Sequence, residues 1–114
     1  MDYTDSVSER CIGQCQDLEK EYLRLTGPPE PHAVRPLSVL KKSLEYVLKR
    51  YADGKTYRYI CEQLKSIRQD LSVQWIENEF TIEVYEQHAR IAIKNVTHFL
   101  FIFILQNYFR LKFL

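Results

Sequence analysis

The chain has few of the residues that build catalytic loops and disulfide-stapled folds. Its 114 residues include three glycines, three cysteines and four prolines. The glycines are far apart, so no glycine-rich loop is available to bind a phosphate group. Three sparse cysteines are an odd number and argue against a disulfide framework, which fits a reducing compartment. The first ten residues carry three acids and no apolar run, unlike a signal peptide, so cytosol or nucleus is predicted.

The chain also lacks a net charge that would draw it toward nucleic acid. The formal net charge is +1, and 46% hydrophobic residues are typical of a folded domain. Charge is instead divided along the chain: residues 35–68 carry nine Lys/Arg and three acids, whereas residues 76–90 carry four glutamates and one arginine. A basic segment and the acidic one that follows it can attract each other and hold two helices together, or the two segments can face different partners.

Apolar residues recur at spacings of three and four over most of the chain, which predicts an all-α fold. A first helix is predicted at about residues 6–25, within an N-terminal helical region at residues 1–26. Asp5 or Ser6 can cap this helix, and a Gly-Pro-Pro sequence ends it. Residues 27–35 then form a stiff, proline-bearing linker.

Three further helices are predicted in residues 36–94. Pro36 suits a first helical turn, an Asp-Gly turn ends the helix that follows, and Thr56 can cap the next one. A break near residues 72–74 leads to the last of the three. Because short turns join these helices, they are expected to stack as antiparallel hairpins.

The last twenty residues, 95–114, differ from everything before them. They include seven consecutive apolar residues at 99–105 and many aromatic residues. A membrane-spanning helix needs roughly 20 mostly apolar residues, and Gln106 and Arg110 interrupt the run too early. A buried or aggregation-prone segment is therefore preferred to a tail anchor, and no membrane association is expected.

No arrangement of residues in the sequence specifies a reaction. Cys11 and Cys15 lie four residues apart, but a structural zinc site needs about four ligands, and the next candidate, His32, lies beyond the proline linker. Buried thiols on an apolar helix stripe are the preferred interpretation. His88 lacks a nucleophile and an orienting group placed by any motif. The sequence predicts neither an enzyme nor a cofactor or metal site.

One surface is a candidate for binding. A basic face could follow an RNA backbone, with Tyr57 or Tyr59 for stacking, although a plain solvated face is the alternative. Its residues are Lys41, Lys42, Lys49, Arg50, Lys55, Arg58, Lys65 and Arg68. A separate, structural feature is the junction LKSIRQDLSVQ at residues 64–74, where Arg68 and Asp70 could clamp the turn through charge-assisted hydrogen bonds to carbonyls and amides. Alanine at either position is expected to cost about 1–3 kcal/mol.

The junction sequence resembles the signature of the GANP family, also written SAC-three. The resemblance extends upstream through CQDLEKEYLRLTGPPEPHAVRPLSVLKKSLEYV and downstream through NEFTIEVYEQHARIAI, so it covers about residues 11–94. It is closest to the branch that resembles leukocyte receptor cluster member eight. The matching positions, expected to build the fold rather than contact RNA, are Leu64, Ile67, Arg68, Asp70, Leu71, Gln74, Phe80, Tyr85, Glu86, His88, Ala89 and Arg90.

This resemblance implies a non-catalytic, tetratricopeptide-like helical repeat that leads into a PCI-type winged helix. Members of the family are nuclear scaffolds of messenger-RNA processing and export, which assemble with a second PCI-domain protein and a small acidic subunit. The chain departs from the family pattern at about Asn95, and truncation through an unspliced intron is one hypothesis for the change. In that case the region expected to bind those partners is missing.

The leading hypothesis is therefore a scaffold fragment that acts through its helix faces in the nucleus, with a cytoplasmic pool as an alternative. Direct RNA binding by the basic face is the alternative function. A small tail-anchored membrane protein is a third interpretation, which depends on residues 99–105 alone. The sequence names neither a specific partner nor an RNA class.

Overall fold

The computed structural model of the chain describes residues 10–112, which are helical or irregular with no strand among them. A short 3₁₀ helix, Pro31–Ala33, precedes three α-helices: α1 (Leu37–Ala52), α2 (Tyr57–Val73) and α3 (Glu79–Lys112). The middle helix, α2, packs against both of the others. The predicted all-α fold is confirmed.

A four-residue turn joins α1 to α2 as predicted. Pro36 stands at the start of α1, where its missing amide costs no helical hydrogen bond. Gly54 has a φ of 115°, a left-handed conformation that favours glycine, so the Asp-Gly pair reverses the chain without strain. Thr56 caps α2 by accepting a 3.1 Å hydrogen bond from the amide of Tyr59. The sequence-based helix start and turn are thus both confirmed.

A second turn, at residues 74–78, reverses the chain between α2 and α3, and the predicted break near residues 72–74 is confirmed. Asn78 and Thr81 fix the start of α3. Oδ1 of Asn78 accepts a 3.2 Å bond from the amide of Thr81, whose hydroxyl in turn accepts a 3.4 Å bond from the amide of Asn78. This reciprocal pair is the arrangement of a capping box and sets the direction in which α3 leaves the turn.

The core lies between the three helices and is built of aliphatic side chains and one phenylalanine. Its buried members are Leu40, Leu44, Val47, Ile60, Leu64, Ile67, Leu71, Phe80 and Val84. In α1 and α2 they recur at spacings of three and four, which places them on the facing sides of an amphipathic pair. From α3, only Phe80 and Val84 are buried, so most of this long helix is not needed to close the core.

The first predicted helix is contradicted by the structure. Residues 10–30 contain no helix and follow an irregular path beside α2, so the helix predicted at residues 6–25 is wrong over its described part. Residues 1–9 lie outside the described residues. The side-chain amides of Gln63 and Gln69 on α2 bond to the backbone of this segment. Segment and linker therefore pack on the helices and do not form a separate helical unit.

The backbone of this segment is irregular because its amides bond to partners far along the chain. The amide of Gln14 donates to the carbonyl of Pro31, and the amide of Cys15 donates to the carbonyl of Val34, both at 2.8 Å. In a helix these amides would bond to the fourth residue back. A short amphipathic pattern is a weak preference, which tertiary contacts override here.

The atypical tail predicted at residues 95–114 is helical as far as the structure describes it. α3 continues to Lys112, because residues 79–112 contain neither glycine nor proline to end it. Asn95 is the point where α3 still contacts α1, through a 3.5 Å bond to the hydroxyl of Tyr51. Beyond it the apolar side chains are exposed, so the expected burial of the tail is not found. The exposed side chains include Val96, Phe99, Leu100, Phe101, Phe103, Ile104, Leu105 and Leu111.

Candidate interaction surfaces

A buried ion pair joins the proline-bearing segment to α2. The side chains of Arg35 and Asp70 are 0% and 1% exposed, and Nε of Arg35 donates to Oδ2 of Asp70 at 2.8 Å. The amide of Arg35 donates to the same oxygen at 3.2 Å, and Nζ of Lys20 lies 2.8 Å from Oδ1. Two cations and an amide thus satisfy a carboxylate that burial alone would disfavour. Arg35, Asp70 and Gln74 are referred to below as the polar lock.

The remaining donors of Arg35 are also used inside the fold. Its Nη2 donates to the hydroxyl of Ser66 at 2.8 Å. Its Nη1 donates to the carbonyl of Leu18 at 3.1 Å and lies 3.4 Å from the hydroxyl of Ser43. Because every guanidinium nitrogen has an acceptor, the planar group is held in one orientation and links the N-terminal segment, α1 and α2.

Gln74 completes the polar lock at the end of α2. Its Oε1 accepts a 2.9 Å bond from the amide of Gly13, while its Nε2 donates to the carbonyls of Arg35 and Asp70 at 2.7 and 2.8 Å. A Cβ atom at Gly13 would lie 2.4 Å from the carbonyl oxygen of Val34. The close approach of the two segments therefore requires glycine at this position.

Arg68 and Asp70, predicted to clamp the turn through bonds to its carbonyls and amides, face different sides of α2. The carboxylate of Asp70 bonds to Arg35 and Lys20 instead of to the turn. Arg68 forms no ion pair within residues 10–112. Its Nη1 lies 3.2 Å from Nδ1 of His88, and its guanidinium carbon lies 4.5 Å from the centre of the Tyr85 ring. Arg68 therefore joins α2 to α3.

His88 lies between Arg68 and a thiol. Arginine can only donate, so Nδ1 of His88 accepts and Nε2 carries the proton, 3.4 Å from Sγ of Cys61. Burial, and then the positive charges of Arg68 and Lys65, lowers the pKa of His88 below its ordinary value of 6.5. In this tautomer the imidazole is a donor toward Cys61, which is the opposite of a base that activates a nucleophile.

The positions matched by the family resemblance fall into three environments. The buried ones are Leu64, Ile67, Asp70, Leu71, Gln74 and Phe80. Arg68 and His88 are half-buried, and the exposed ones on α3 are Tyr85, Glu86, Ala89 and Arg90. The exposed group follows one side of α3, away from the core, and so is accessible to another chain.

Three of the residues predicted to contact RNA are engaged within the fold. The guanidinium of Arg50 and the ammonium of Lys55 lie 5.9 and 5.4 Å from the centre of the Tyr59 ring. The ammonium of Lys65 lies 6.0 Å from the ring of Tyr22. The others of that set, apart from Arg68, are exposed: Lys41, Lys42, Lys49 and Arg58.

Tyr59 is bound to the N-terminal segment rather than free for stacking. Its hydroxyl donates to the carboxylate of Glu19. That hydrogen bond lowers the pKa of Glu19, while burial, followed by the bond to Glu19, raises the pKa of Tyr59. A ring flanked by two cations and fixed at its hydroxyl cannot readily take up a base. RNA contact by the lysines stays a prediction.

Cys11 and Cys15 do not share a helix face, because both lie in the irregular segment. Each is half-buried with a free thiol. Within residues 10–112, no three His, Cys, Asp or Glu side chains are grouped so as to hold a metal ion. The interpretation of these thiols as members of a helical stripe is therefore wrong, although they remain partly buried.

Comparison with known proteins identifies the family. A profile of the SAC3/GANP family matches residues 14–100 of this chain. The chain belongs to the SAC3/GANP family. It is 58% identical over 83 residues to a THP3 homolog of Schizosaccharomyces pombe and 54% identical over 89 residues to the leukocyte receptor cluster member 8 homolog of Xenopus laevis. It is also 53% identical over 85 residues to protein THP3 of Saccharomyces cerevisiae.

These matches cover 73%, 78% and 74% of this SAC3/GANP-family chain, but only 21%, 11% and 18% of the relatives. The chain thus spans about a fifth or less of the length of each relative. The family profile continues to residue 100. It therefore includes the first residues of the apolar tail, a few residues beyond Asn95.

Within the described part of the chain, α3 is the one helix long and apolar enough to cross a membrane by length and composition. Of its most apolar stretch, 6% is buried. A helix that belongs in the core of a larger protein meets the same criterion. Length and composition alone therefore do not favour a membrane over a protein neighbour.

Proposed function

We propose that this chain is a non-catalytic scaffold module of a nuclear assembly for messenger-RNA processing or export, and that it acts through its helix faces. The observation that carries the proposal is the α3 flank, defined as Ile82, Tyr85, Ile93 and Val96, whose side chains are 46–67% exposed. These residues follow one side of a helix whose other side is fixed to α2. Helical-repeat scaffolds use such an uncovered face to stack the next unit or a partner.

Family membership supports the same function, because the SAC3/GANP family is expected to consist of scaffolds for messenger-RNA processing and export. The relatives are far longer than the region matched here. In a protein of that length, we expect a second PCI-domain protein and a small acidic subunit as partners. The α3 flank is then one of the contacts through which the three-helix region binds them.

Direct RNA binding is the second candidate. It is favoured by the exposed cations Lys41, Lys42, Lys49 and Arg58 on α1 and α2. A phosphate backbone is best followed by a continuous row of free cations, and the engagement of Arg50 with Tyr59 interrupts this row. The scaffold function is therefore preferred.

Co-expression of the chain with a PCI-domain protein and acidic subunit of the same organism, followed by gel filtration, tests the scaffold function. A protein contact on the α3 flank should survive 500 mM salt and be lost in Ile93→Glu. Lys42→Gln, at an exposed residue on α1, is the matched control and should keep the complex. Loss of the complex in salt together with binding to an RNA oligonucleotide that Lys42→Gln weakens would instead support RNA binding.

A further inference from the structure

A groove on the outer side of α2 and α3 meets the α3 flank at Tyr85 and otherwise lies outside the proposed contact along that flank. It consists of two adjoining depressions of about 520 and 460 Å³, both lined by Arg68, Ser72 and Tyr85. The rest of the lining is mixed, with polar groups from Gln69 and Thr81 beside apolar ones from Tyr22, Leu25, Leu71, Val73, Trp75 and Ile76. Together the depressions are large enough for several side chains of a bound segment.

The centre of this groove carries positive charge without a matching carboxylate. Neither Arg68 nor Lys65 forms an ion pair with any residue of the described chain. Nε of Arg68 is buried and has no acceptor among residues 10–112. The one acid that lines the groove is Glu77, at its Trp75 end. A carboxylate from outside the described fold would pair with the guanidinium of Arg68, which has no acidic partner of its own.

Trp75 is held at the end of the groove in an unusual backbone conformation. Its φ is 59°, the left-handed region in which a bulky residue is an outlier, and its side chain is 51% exposed. This conformation ends α2, since the amide of Ile76 donates to the carbonyl of Leu71 at 3.0 Å, and it turns the Trp75 side chain out of the helix. Tryptophan, tyrosine and arginine are also the residues that most often dominate binding energy at protein interfaces, and Trp75, Tyr85 and Arg68 lie together here.

From these features we infer that the groove binds an acidic, apolar peptide segment of a partner protein. The inference rests on the proposed scaffold function and names a second contact for it. Acidic side chains of the segment pair with Arg68 and Lys65, while apolar side chains cover Trp75 and the groove walls. RNA fits less well, because two cations among apolar groups do not match a regular row of phosphates.

The fluorescence of Trp75 reports on this groove directly, since it is the single tryptophan of the chain. The probe is a short amidated peptide in which Glu and Asp alternate with Leu and Phe, titrated into the full chain. We expect a blue shift and saturable binding. A peptide with Gln and Asn in place of the acids should bind about tenfold more weakly, because charge-assisted bonds to Arg68 are lost.

Lys65→Gln should weaken the acidic peptide about two- to fivefold, since Lys65 is exposed and its substitution leaves the core intact. Lys49→Gln removes the same charge from α1 and should leave the affinity unchanged. Equal binding of the acidic and neutral peptides, an equal effect of Lys49→Gln, or no change in Trp75 fluorescence would each overturn the inference. An oligouridylate that shifts the fluorescence as strongly as the peptide would overturn it in favour of a phosphate site.

The two proposals can fail separately. If the PCI-domain complex forms and Ile93→Glu abolishes it while the peptide does not bind, the groove inference is wrong and the scaffold function stands. If the peptide binds the groove but no complex forms on the α3 flank, the groove is a peptide site and the proposed scaffold contact is wrong.

Discussion

The carboxylate of Asp70 joins three parts of the molecule, because Arg35 of the linker and Lys20 of the N-terminal segment both bond to it on α2. Asp70→Asn should lower the free energy of unfolding by about 3–5 kcal/mol, since it leaves a buried guanidinium without its counter-charge. Urea unfolding followed by circular dichroism measures this change. Asp17→Asn, at an exposed position, should change the free energy by less than about 0.5 kcal/mol. Equal stabilities of the two variants would contradict the prediction.

Gly13 allows a test of the close approach between the N-terminal segment and the linker. Gly13→Ala should destabilise the fold by about 1–3 kcal/mol, because the new methyl group would meet the backbone of Val34 and Arg35 at 2.4–2.8 Å. Gly27→Ala is the matched control: no atom lies within 4 Å of its added methyl group, and its stability should stay within about 1 kcal/mol of the parent. A thermal melt of both variants decides the matter, and equal melting temperatures would argue against tight packing at Gly13.

His88 should make the free energy of unfolding depend on pH. Its pKa in the folded chain lies below 6.5, the value expected of the unfolded chain, so in the window below 6.5 the unfolded state binds more protons. The free energy of unfolding therefore falls as the pH drops through that window and is unaffected by His88 above it. Urea unfolding at about pH 7.5 and pH 5.5 should show a smaller acid loss in His88→Gln than in the parent chain. His98→Gln, on the exposed part of α3, should keep the parental loss, and an unchanged loss in His88→Gln would contradict the assignment.

The sequence predicts some residues of these contacts but not their partners. Asp70 and Gln74 could be singled out because they lie in the family signature, but their partners could not. Arg35 lies 35 residues before Asp70 in sequence, and no periodic pattern connects a linker residue to a helix residue. The Val-Arg-Pro sequence at the end of the linker is part of the family resemblance, but only the three-dimensional path of the segment shows why arginine is needed there.

At the scale of elements, the helices with strong caps and regular apolar stripes were predictable. α1 begins after Pro36 and ends just before Gly54, and α2 begins after Thr56; each of these residues acts through local backbone chemistry. The helix predicted for the N-terminal segment is wrong because the apolar pattern is helical while the amides bond to the carbonyls of Pro31 and Val34. Local preference is a reliable guide only where no distant partner competes for the same groups.

The final part of α3 should contribute nothing to the stability of the core. The core ends at Asn95, which bonds to Tyr51, and residues 96–106 are exposed. A chain that ends after residue 96 should therefore unfold within about 0.5 kcal/mol of the full chain in urea. Loss of cooperative unfolding in the shortened chain would mean that the apolar half of α3 packs against the fold. A chain that ends at residue 83, before the buried Val84, is the control and should lose cooperative unfolding.

At the scale of the whole molecule, the fold divides the length of α3 between two environments. Its first half is one wall of the three-helix core, and its second half extends the molecule to 66 Å along its longest axis. A helix that is apolar on all sides is stable only when something covers it. The chain therefore combines a polar lock buried among its own segments with a projecting helix whose apolar side chains are exposed.

The projecting helix should thus govern association without governing folding. Phe101 and Phe103 are 63% and 62% exposed, so the double variant Phe101→Glu/Phe103→Glu should melt at the parental temperature. The same variant should show less self-association in analytical ultracentrifugation and less binding to neutral lipid vesicles in a flotation assay. The matched control is Gln106→Glu/Asn107→Glu, which adds the same charge to already polar positions of the same helix and should leave association closer to the parent. Association that persists in the phenylalanine variant would mean that another surface mediates it, either the α3 flank or the groove beside Trp75. A fall in melting temperature would instead show that these rings pack against the core, contrary to their exposure.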